Sequence, residues 1–309
     1  MNLEKPLNNK TNYLIIGGTT KAATTSLFFY LSEHPQICAA NMKETRFFLD
    51  ADYPVPSKYR YEDGLNKYEE FFGHCASDKI RMEATPNYIY SLGTPQKIKS
   101  SLRQVKLIFI LREPVSRLIS WYRFAKQNGE LSEQVTFDEY VQQQLQDSDN
   151  LPKVNQHLCA LEQGRYSVYL QPYFDLFGKD KVHIAFYEEL SKNPMLVMKQ
   201  ICLFADIDPN FYTNYEFKIF NRTETMQVPK LHQAYMNFRF RIRQYTHNQA
   251  MLHTSLRKIR LLLEPLYFKM NTRKSEKFVI SPSIKAFLDE YYIKEANTLS
   301  DLLGRDITW

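Results

Sequence analysis

One lysine and several hydroxyl side chains lie between an apolar run and a helical pattern near the start of the chain. Residues 13–16 (Tyr-Leu-Ile-Ile) predict a strand buried on both faces, and a glycine pair ends it at Gly18. Lys21 follows, and Thr24 or Thr25 is expected to cap the helix that comes next. A helix N-terminus at the carboxyl end of a strand offers N–H groups and a positive dipole end to an anion. This segment therefore predicts a phosphate site that contains Lys21.

The spacing in this loop differs from the P-loop motif, because no Ser or Thr directly follows Lys21 to hold magnesium. The segment instead resembles the 5′-phosphosulfate loop, G-x-x-K-x-G-T-T-x-L, of sulfotransferases that use 3′-phosphoadenosine 5′-phosphosulfate (PAPS). Ala23 stands where that motif has its second glycine. The resemblance implies an α/β, P-loop-NTPase-like sulfotransferase fold with a central parallel sheet flanked by helices. It assigns donor contacts to Gly18, Thr19, Thr20, Lys21, Ala22, Ala23, Thr24, Thr25 and Ser26.

A second basic segment follows the clearest apolar run of the chain. Residues 105–111 (VKLIFIL) predict a buried strand, and Arg112 comes directly after it, with Pro114 placed to begin a helix. The segment resembles the 3′-phosphate site R-x-P-x-x-R-x-x-S-x-Y of the same family. The resemblance implies that Arg112 and Ser120 hold the 3′-phosphate, where a guanidinium can bind two oxygens at once. Arg117 is expected at the surface or in an ion pair.

A carboxylate follows the predicted second strand. Residues 43–48 (Lys-Glu-Thr-Arg-Phe-Phe) resemble the K-E-x-x-F-F segment of heparan-sulfate-type sulfotransferases and their bacterial relatives. That resemblance implies that Glu44 is the catalytic base and contacts the acceptor, while Lys21 stabilises charge on the leaving phosphate. His157 is kept as a second candidate base, because other sulfotransferase branches use a histidine.

Further contacts are expected from three other segments. Residues 83–88 (Glu-Ala-Thr-Pro-Asn-Tyr) resemble the E-K-[ST]-P-x-Y segment of relatives, and the resemblance implies that Glu83 and Tyr88 lie near the acceptor. Relatives often carry a lysine where this chain has Ala84, so one basic contact to an anionic acceptor is absent there. Asn221 and Arg222 match, by position, the loop that covers the adenosine phosphates in relatives.

These side chains must be positioned by alternating strands and helices. Further strands are predicted at 36–39, 80–83 and 182–186, and helices at 65–72, 137–146, 154–163, 166–177, 194–205 and 282–303. The ending N-x-x-L-x-x-L-L-G-R-D-x-x-W resembles the C-terminus of heparan-sulfate-type sulfotransferases. We expect one sulfotransferase domain over residues 1–309, with a flexible N-terminus over residues 1–11.

Composition limits the classes of function. The 14% aromatic content excludes a disordered chain, and the net charge of +6 is too mild for a dedicated nucleic-acid binder. Eighteen consecutive apolar residues occur nowhere, so no membrane span is predicted. The four cysteines are widely spaced and predict buried free thiols. With no apolar run of signal-peptide length near the start, a cytoplasmic location is expected. The oligomeric state stays open.

The predicted activity is transfer of a sulfuryl group from PAPS, leaving adenosine 3′,5′-bisphosphate (PAP), to a hydroxyl or an amine or carbamoyl nitrogen. The acceptor is expected to be a small metabolite or natural product, attacked in line without a metal. A saccharide or glycan O-sulfotransferase is the alternative within the family. Two other classes stay open, a P-loop-type small-molecule kinase, which should show a magnesium aspartate, and a non-catalytic nucleotide-binding protein.

Overall fold

A five-stranded sheet organises the residues that the computed structural model describes, which are 11–146, 156–218, 225–226, 272–273, 279–307 and 309. Its strands are β1 (Asn12–Gly18), β2 (Ile37–Ala39), β3 (Ile80–Ala84), β4 (Gln104–Leu111) and β5 (Val182–Phe186). They lie in the order β2-β3-β1-β4-β5, and every neighbouring pair is parallel. The predicted α/β fold with a central parallel sheet is confirmed. Since the chain leaves β1 toward one side and returns to β4 on the other, the carboxyl end of β1 is the expected ligand position.

Helices cover the sheet on both faces. They are α1 (Thr24–Ser32), α2 (Leu65–Glu69), α3 (Thr94–Ser101), α4 (Pro114–Asn128), α5 (Phe137–Gln146), α6 (Tyr166–Phe177), α7 (Tyr187–Lys192), α8 (Pro194–Ala205) and α9 (Pro282–Leu303). A short antiparallel pair, β6 (Thr225–Met226) with β7 (Thr272–Arg273), lies apart from the main sheet. Among the described helices, none has the length and apolar character needed to cross a bilayer.

Most predicted elements are confirmed, and one differs. Over residues 156–163, the described part of the predicted helix at 154–163, the structure has two 3₁₀ turns, Gln156–Cys159 and Glu162–Gly164. The helix α3 was not predicted, because its sequence, TPQKIKSS, carries only one large apolar residue, Ile98, on its buried side.

The alternation of side chains along β1 explains why its sequence is continuously apolar. Tyr13 and Ile15 pack into one cluster, with the aromatic residues that follow β2. Leu14 and Ile16 pack into a second cluster on the opposite face, with α1 and α8. A strand covered on both faces needs apolar side chains at every position, since successive residues point to opposite faces.

The loop after β1 is shaped by close packing and by unusual backbone angles. A side chain at Gly18 would lie 2.8 Å from Ile89 Cγ2, so the chain can pass this point only with glycine. Lys21 and Ala23 have φ angles of 65° and 64°, in the left-handed region. Ala23 is the N-cap of α1, and no side chain caps that helix, so the expectation that Thr24 or Thr25 caps it is wrong. The N-terminus of α1 therefore faces the loop without a side-chain cap at Ala23.

Two further expectations are wrong. Arg117 is fully buried, where it donates to the Ala160 carbonyl oxygen and lies 3.4 Å from the Tyr90 hydroxyl. Cys38 and Cys75 form a disulfide, so only the other two cysteines are free thiols. Four free thiols would be typical of a reducing compartment such as the cytoplasm. With two cysteines in a disulfide, the expected cytoplasmic location loses that support and stays a prediction.

The left-handed backbone of Ala23 predicts a gain in stability on removal of its methyl group. An L-residue in this region costs about 1–2 kcal/mol, whereas glycine adopts it without penalty. Ala23→Gly should therefore raise the free energy of unfolding by about 0.5–1 kcal/mol, after the larger unfolded-state entropy of glycine is subtracted. Urea unfolding measures this change. The control is Ala22→Gly, because Ala22 is fully buried and is not in the left-handed region, so that variant should lose stability. Equal losses in both variants would contradict the explanation.

Candidate functional site

A cavity of about 960 Å³ lies beside the carboxyl ends of β1 and β4. Its wall is built mainly by the loop after β1, the start of α1, the loop after β2, α4, α7 and the first residue of α8. The structure brings nine of the predicted site residues to this one wall: Thr20, Lys21, Ala23, Thr24, Thr25, Ser26, Glu44, Arg112 and Ser120. Segments far apart in sequence thus meet at the edge where parallel sheets bind ligands.

Three predicted loop residues support the wall from behind. Gly18 packs against Ile89, and Ala22 is fully buried. Thr19 is also fully buried, and both its backbone N–H and its hydroxyl donate to the Ile110 carbonyl oxygen, at 2.8 and 3.2 Å. These contacts fix the loop to the neighbouring strand β4.

Lys21 reaches the cavity across an aromatic ring. Its Nζ atom lies 3.8 Å from the centre of the Phe124 ring, a cation–π distance. Burial, together with the positive charge of Arg112, lowers the pKa of Lys21 to about 8. Beside it, the Trp121 indole N–H donates to the Thr20 hydroxyl at 3.2 Å. The lysine charge is therefore poorly solvated and gains from an incoming anion.

Arg112 is held in place by three contacts. Its Nη1 donates to the Lys21 carbonyl oxygen at 3.1 Å, its guanidinium lies 4.4 Å from the Tyr187 ring centre, and its own carbonyl accepts the Tyr166 hydroxyl at 2.7 Å. Its Nε is buried and has no partner among the described residues. Ser120 lies on the cavity face of α4. The guanidinium is thus oriented by the fold while part of its donor capacity stays open to a ligand.

Glu44 is the cavity's acidic side chain among the described lining residues. Its Oε1 accepts Lys43 Nζ at 2.9 Å and its Oε2 accepts Arg46 Nη2 at 2.8 Å, and about 29% of the side chain is exposed. Burial alone would raise the pKa of Glu44, but Lys43 and Arg46 together lower it. Glu44 and Arg46 also have left-handed φ angles of 65° and 58°. Glu44 is therefore ionised at neutral pH and rigidly oriented.

Glu83 and Tyr88 are both fully buried and do not line the cavity. The Glu83 carboxylate is instead the centre of a hydrogen-bond cluster beneath the loop that carries Glu44. Its two oxygens accept four hydroxyl groups at 2.5–3.1 Å, from Thr45, Tyr68, Thr85 and Tyr88. The structure thus gives these two residues a positioning role, and a direct contact with the acceptor stays a prediction.

The remaining candidates lie elsewhere. His157 is buried, with Nδ1 at 3.5 Å from Glu130, and it is not part of the cavity wall. Asn221 and Arg222 lie outside the described residues.

Sequence reasoning missed other residues of the wall, among them Arg46, Trp121, Phe124 and Tyr187. Phe124 could have been found from helical spacing, because it follows Ser120 on α4 by four residues, and Trp121 lies three residues before Phe124. The contact between Tyr187 and Arg112 joins residues from different elements, and no local pattern signals it.

The charge of the wall indicates the kind of ligand. Lys21, Arg46, Arg112 and Arg123 line the cavity against one carboxylate, Glu44. Such a wall favours a molecule with several negative charges. The ionised carboxylate beside it could accept a proton from a second molecule in the same cavity.

Comparison with known proteins supports this interpretation. A family model described as a sulfotransferase domain matches residues 11–252. The chain is 28% identical over 215 residues to bifunctional heparan sulfate N-deacetylase/N-sulfotransferase 2 of Bos taurus, covering 69% of this chain and 23% of that protein. It is 26% identical over 205 residues to heparan sulfate glucosamine 3-O-sulfotransferase 5 of Mus musculus, covering 65% and 56%. The chain therefore spans less than two thirds of the length of either relative.

Among solved structures, a sulfotransferase from Alicyclobacillus acidocaldarius superposes with a TM-score of 0.63. The match covers 97% of this chain and 98% of that chain, at 19% sequence identity. A likeness at this identity shows a common fold.

The depressed pKa of Lys21 predicts how anion binding depends on pH. Lys21 is protonated below about pH 8 and neutral above it, so affinity for PAP should fall as the pH rises through 8. The phosphate groups, whose second pKa is about 6, do not change charge in this range. Lys21→Arg keeps its charge and should bind PAP with little pH dependence between 7 and 9.5. Calorimetric titration at several pH values checks this, and parallel profiles for the two proteins would show that another group titrates.

Proposed function

Since the chain belongs to the sulfotransferase-domain family, we propose that it moves a sulfuryl group from PAPS to a hydroxyl or an amine or carbamoyl nitrogen of a small acceptor. The observation that carries the proposal is the convergence of Lys21, Arg112 and Glu44 on one cavity. Two cationic positions and one ionised carboxylate match the needs of a doubly phosphorylated donor and a nucleophile that must lose a proton.

The donor side uses the loop after β1 and the start of α4. The first-turn N–H groups of α1 and the hydroxyls of Thr24 and Thr25 hold the 5′-phosphate. Arg112 and Ser120 hold the 3′-phosphate, which is absent from ATP. Support comes from the unpaired Arg112 Nε and from the lining position of both hydroxyl residues and Ser120.

The transfer step breaks the bond between sulfur and the bridging oxygen of the 5′-phosphate. The acceptor oxygen or nitrogen attacks sulfur from the opposite side and forms the new bond, while Glu44 takes the proton that the acceptor releases. The leaving PAP keeps the bonding electron pair, and Lys21 stabilises the charge that builds on its oxygen. Glu44 suits this work because it is ionised, and because Lys43 and Arg46 hold its orientation.

A small acceptor is favoured over a sulfated glycan by one substitution. Ala84 stands where relatives often carry a lysine, so an anionic acceptor lacks one basic contact in this chain. The names of these two relatives concern heparan sulfate, and a saccharide acceptor is the second candidate. A kinase is disfavoured, because the only carboxylate that the described wall offers to a magnesium ion is Glu44, which is already paired with two cations.

The donor assignment predicts a preference for nucleotides with a 3′-phosphate. PAP should bind at least tenfold more tightly than AMP, since a charge-assisted hydrogen bond contributes about 1.5–3 kcal/mol. Arg112→Gln should remove most of this difference and leave AMP affinity nearly unchanged. Isothermal titration measures both affinities. The matched control is Arg103→Gln, because Arg103 is exposed and outside the cavity. Equal affinities for PAP, AMP and ATP in the wild-type protein would reject a PAPS donor.

The role of Glu44 predicts a loss of transfer without loss of donor binding. Glu44→Gln keeps the shape and a hydrogen-bonding group but cannot accept the proton, so the rate of transfer should fall by about two orders of magnitude or more. PAP affinity should stay within a few-fold. The rate is measured with radiolabelled PAPS across pH.

Two further variants test the alternatives. Glu133→Gln is the matched control, because Glu133 is exposed and outside the cavity. His157→Gln tests the competing base and should retain most of the activity. A normal transfer rate in Glu44→Gln, together with a large loss of rate in His157→Gln, would identify His157 as the base.

A further inference from the structure

A second, smaller cavity adjoins the first. Its volume is about 360 Å³, and four tyrosines contribute to its wall: Tyr53, Tyr90, Tyr169 and Tyr291. Gln156 lines both cavities, so the two spaces meet at this residue. A concave space with aromatic walls next to a catalytic cavity is suited to the part of a substrate that does not react.

Two side-chain amides in this cavity each have one buried polar atom without a hydrogen-bond partner among the described residues. Gln163 is 6% exposed, and its Oε1 is buried without a donor. The Nε2 of Gln156 is buried without an acceptor, while its Oε1 accepts Asn87 Nδ2 at 3.1 Å. Leaving such buried groups unpaired is unfavourable. One open acceptor and one open donor are what a hydroxyl or amino group satisfies.

The boundary between the cavities is polar and lies close to the loop after β1. Asn87 lines the large cavity and donates both to Gln156 and to the Tyr53 hydroxyl, at 3.1 and 3.2 Å. The Tyr90 ring lines the small cavity, while its hydroxyl hydrogen-bonds to Thr20 of the loop. A ligand in the small cavity would therefore extend toward the transferred group.

The small cavity has the opposite charge from the large one. Its described lining includes Asp50, Asp52 and Glu162 and contains no Lys, Arg or His. Lys97 and Arg165 lie 3.3 and 4.0 Å from the carboxylates of Asp50 and Glu162, but neither base belongs to the wall. Among the charged side chains of this described lining, an anionic group would meet only acidic ones, which is unfavourable.

We infer that the small cavity holds the non-reacting part of the acceptor, and that this part is a hydroxylated ring, neutral or bearing an amine, without carboxylate, sulfate or phosphate. This inference rests on the proposed function and adds the chemical class of the acceptor. The tyrosine faces pack against the apolar edges of such a ring, while Gln156 and Gln163 pair with its polar groups.

Three glycosides that differ in one group test the inference. The enzyme is first saturated with PAP and then titrated with phenyl β-glucoside, its 2-amino analogue and phenyl β-glucuronide. The glucoside and the amino analogue should bind at least tenfold more tightly than the glucuronide, as measured by saturation-transfer NMR and calorimetry. A glucuronide that binds equally well or better, or the absence of binding by all three, overturns the inference.

Two variants connect the preference to the cavity. Gln163→Leu should weaken binding of the glucoside by about fivefold, the worth of one hydrogen bond, with PAP affinity unchanged. Gln171→Leu is the matched control, because Gln171 is exposed on α6. Glu162→Gln should reduce the discrimination against the glucuronide. Unchanged glycoside binding in both Gln163→Leu and Glu162→Gln overturns the inference, even where PAP binds normally. A wild-type protein that does not prefer PAP over AMP and ATP would instead reject the proposed donor.

Discussion

The acceptor side of the cavity depends on one buried carboxylate. Glu83 lies at the end of β3 with no exposure, and burial raises its pKa despite four hydroxyl donors that oppose the shift. One donor, Thr45, directly follows Glu44 in the chain. Another, Thr85, also accepts the backbone N–H of Arg46 at 3.1 Å. The hydrogen-bond cluster around Glu83 therefore holds Thr45 and Arg46, the two residues that follow Glu44 in its loop. These bonds also offset the cost of burying the Glu83 carboxylate.

The donor side could be predicted from the sequence because its determinants are local. A buried strand followed by glycine, lysine and a helix start defines an anion site within about fifteen residues. Arg112 and Ser120 are likewise fixed by the end of β4 and the turns of α4. The sheet was predictable for the same reason, since strands covered on both faces are continuously apolar. Lys21, Arg112 and Glu44 meet in one cavity because each follows a parallel strand.

The acceptor side could not be predicted to the same extent, because it is made by contacts between distant segments. A carboxylate such as Glu83 has the same local sequence whether it faces a substrate or four hydroxyls, and only tertiary packing decides between them. Arg117 was expected at the surface or in an ion pair, since a guanidinium is rarely buried without a carboxylate partner. The pairing of Cys38 with Cys75 joins β2 to the segment between α2 and β3, and spacing alone cannot reveal it.

The acidic lining of the small cavity bears on what happens after transfer. Sulfation turns a hydroxyl into a permanently charged ester, so the product carries a negative charge that the acceptor lacked. A second transfer would require the product to bind with its sulfated part in the small cavity, where Asp50, Asp52 and Glu162 repel it. The same side chains that admit a neutral acceptor would thus disfavour rebinding of the product for a second sulfate. Addition of a single sulfate would then follow from one electrostatic feature.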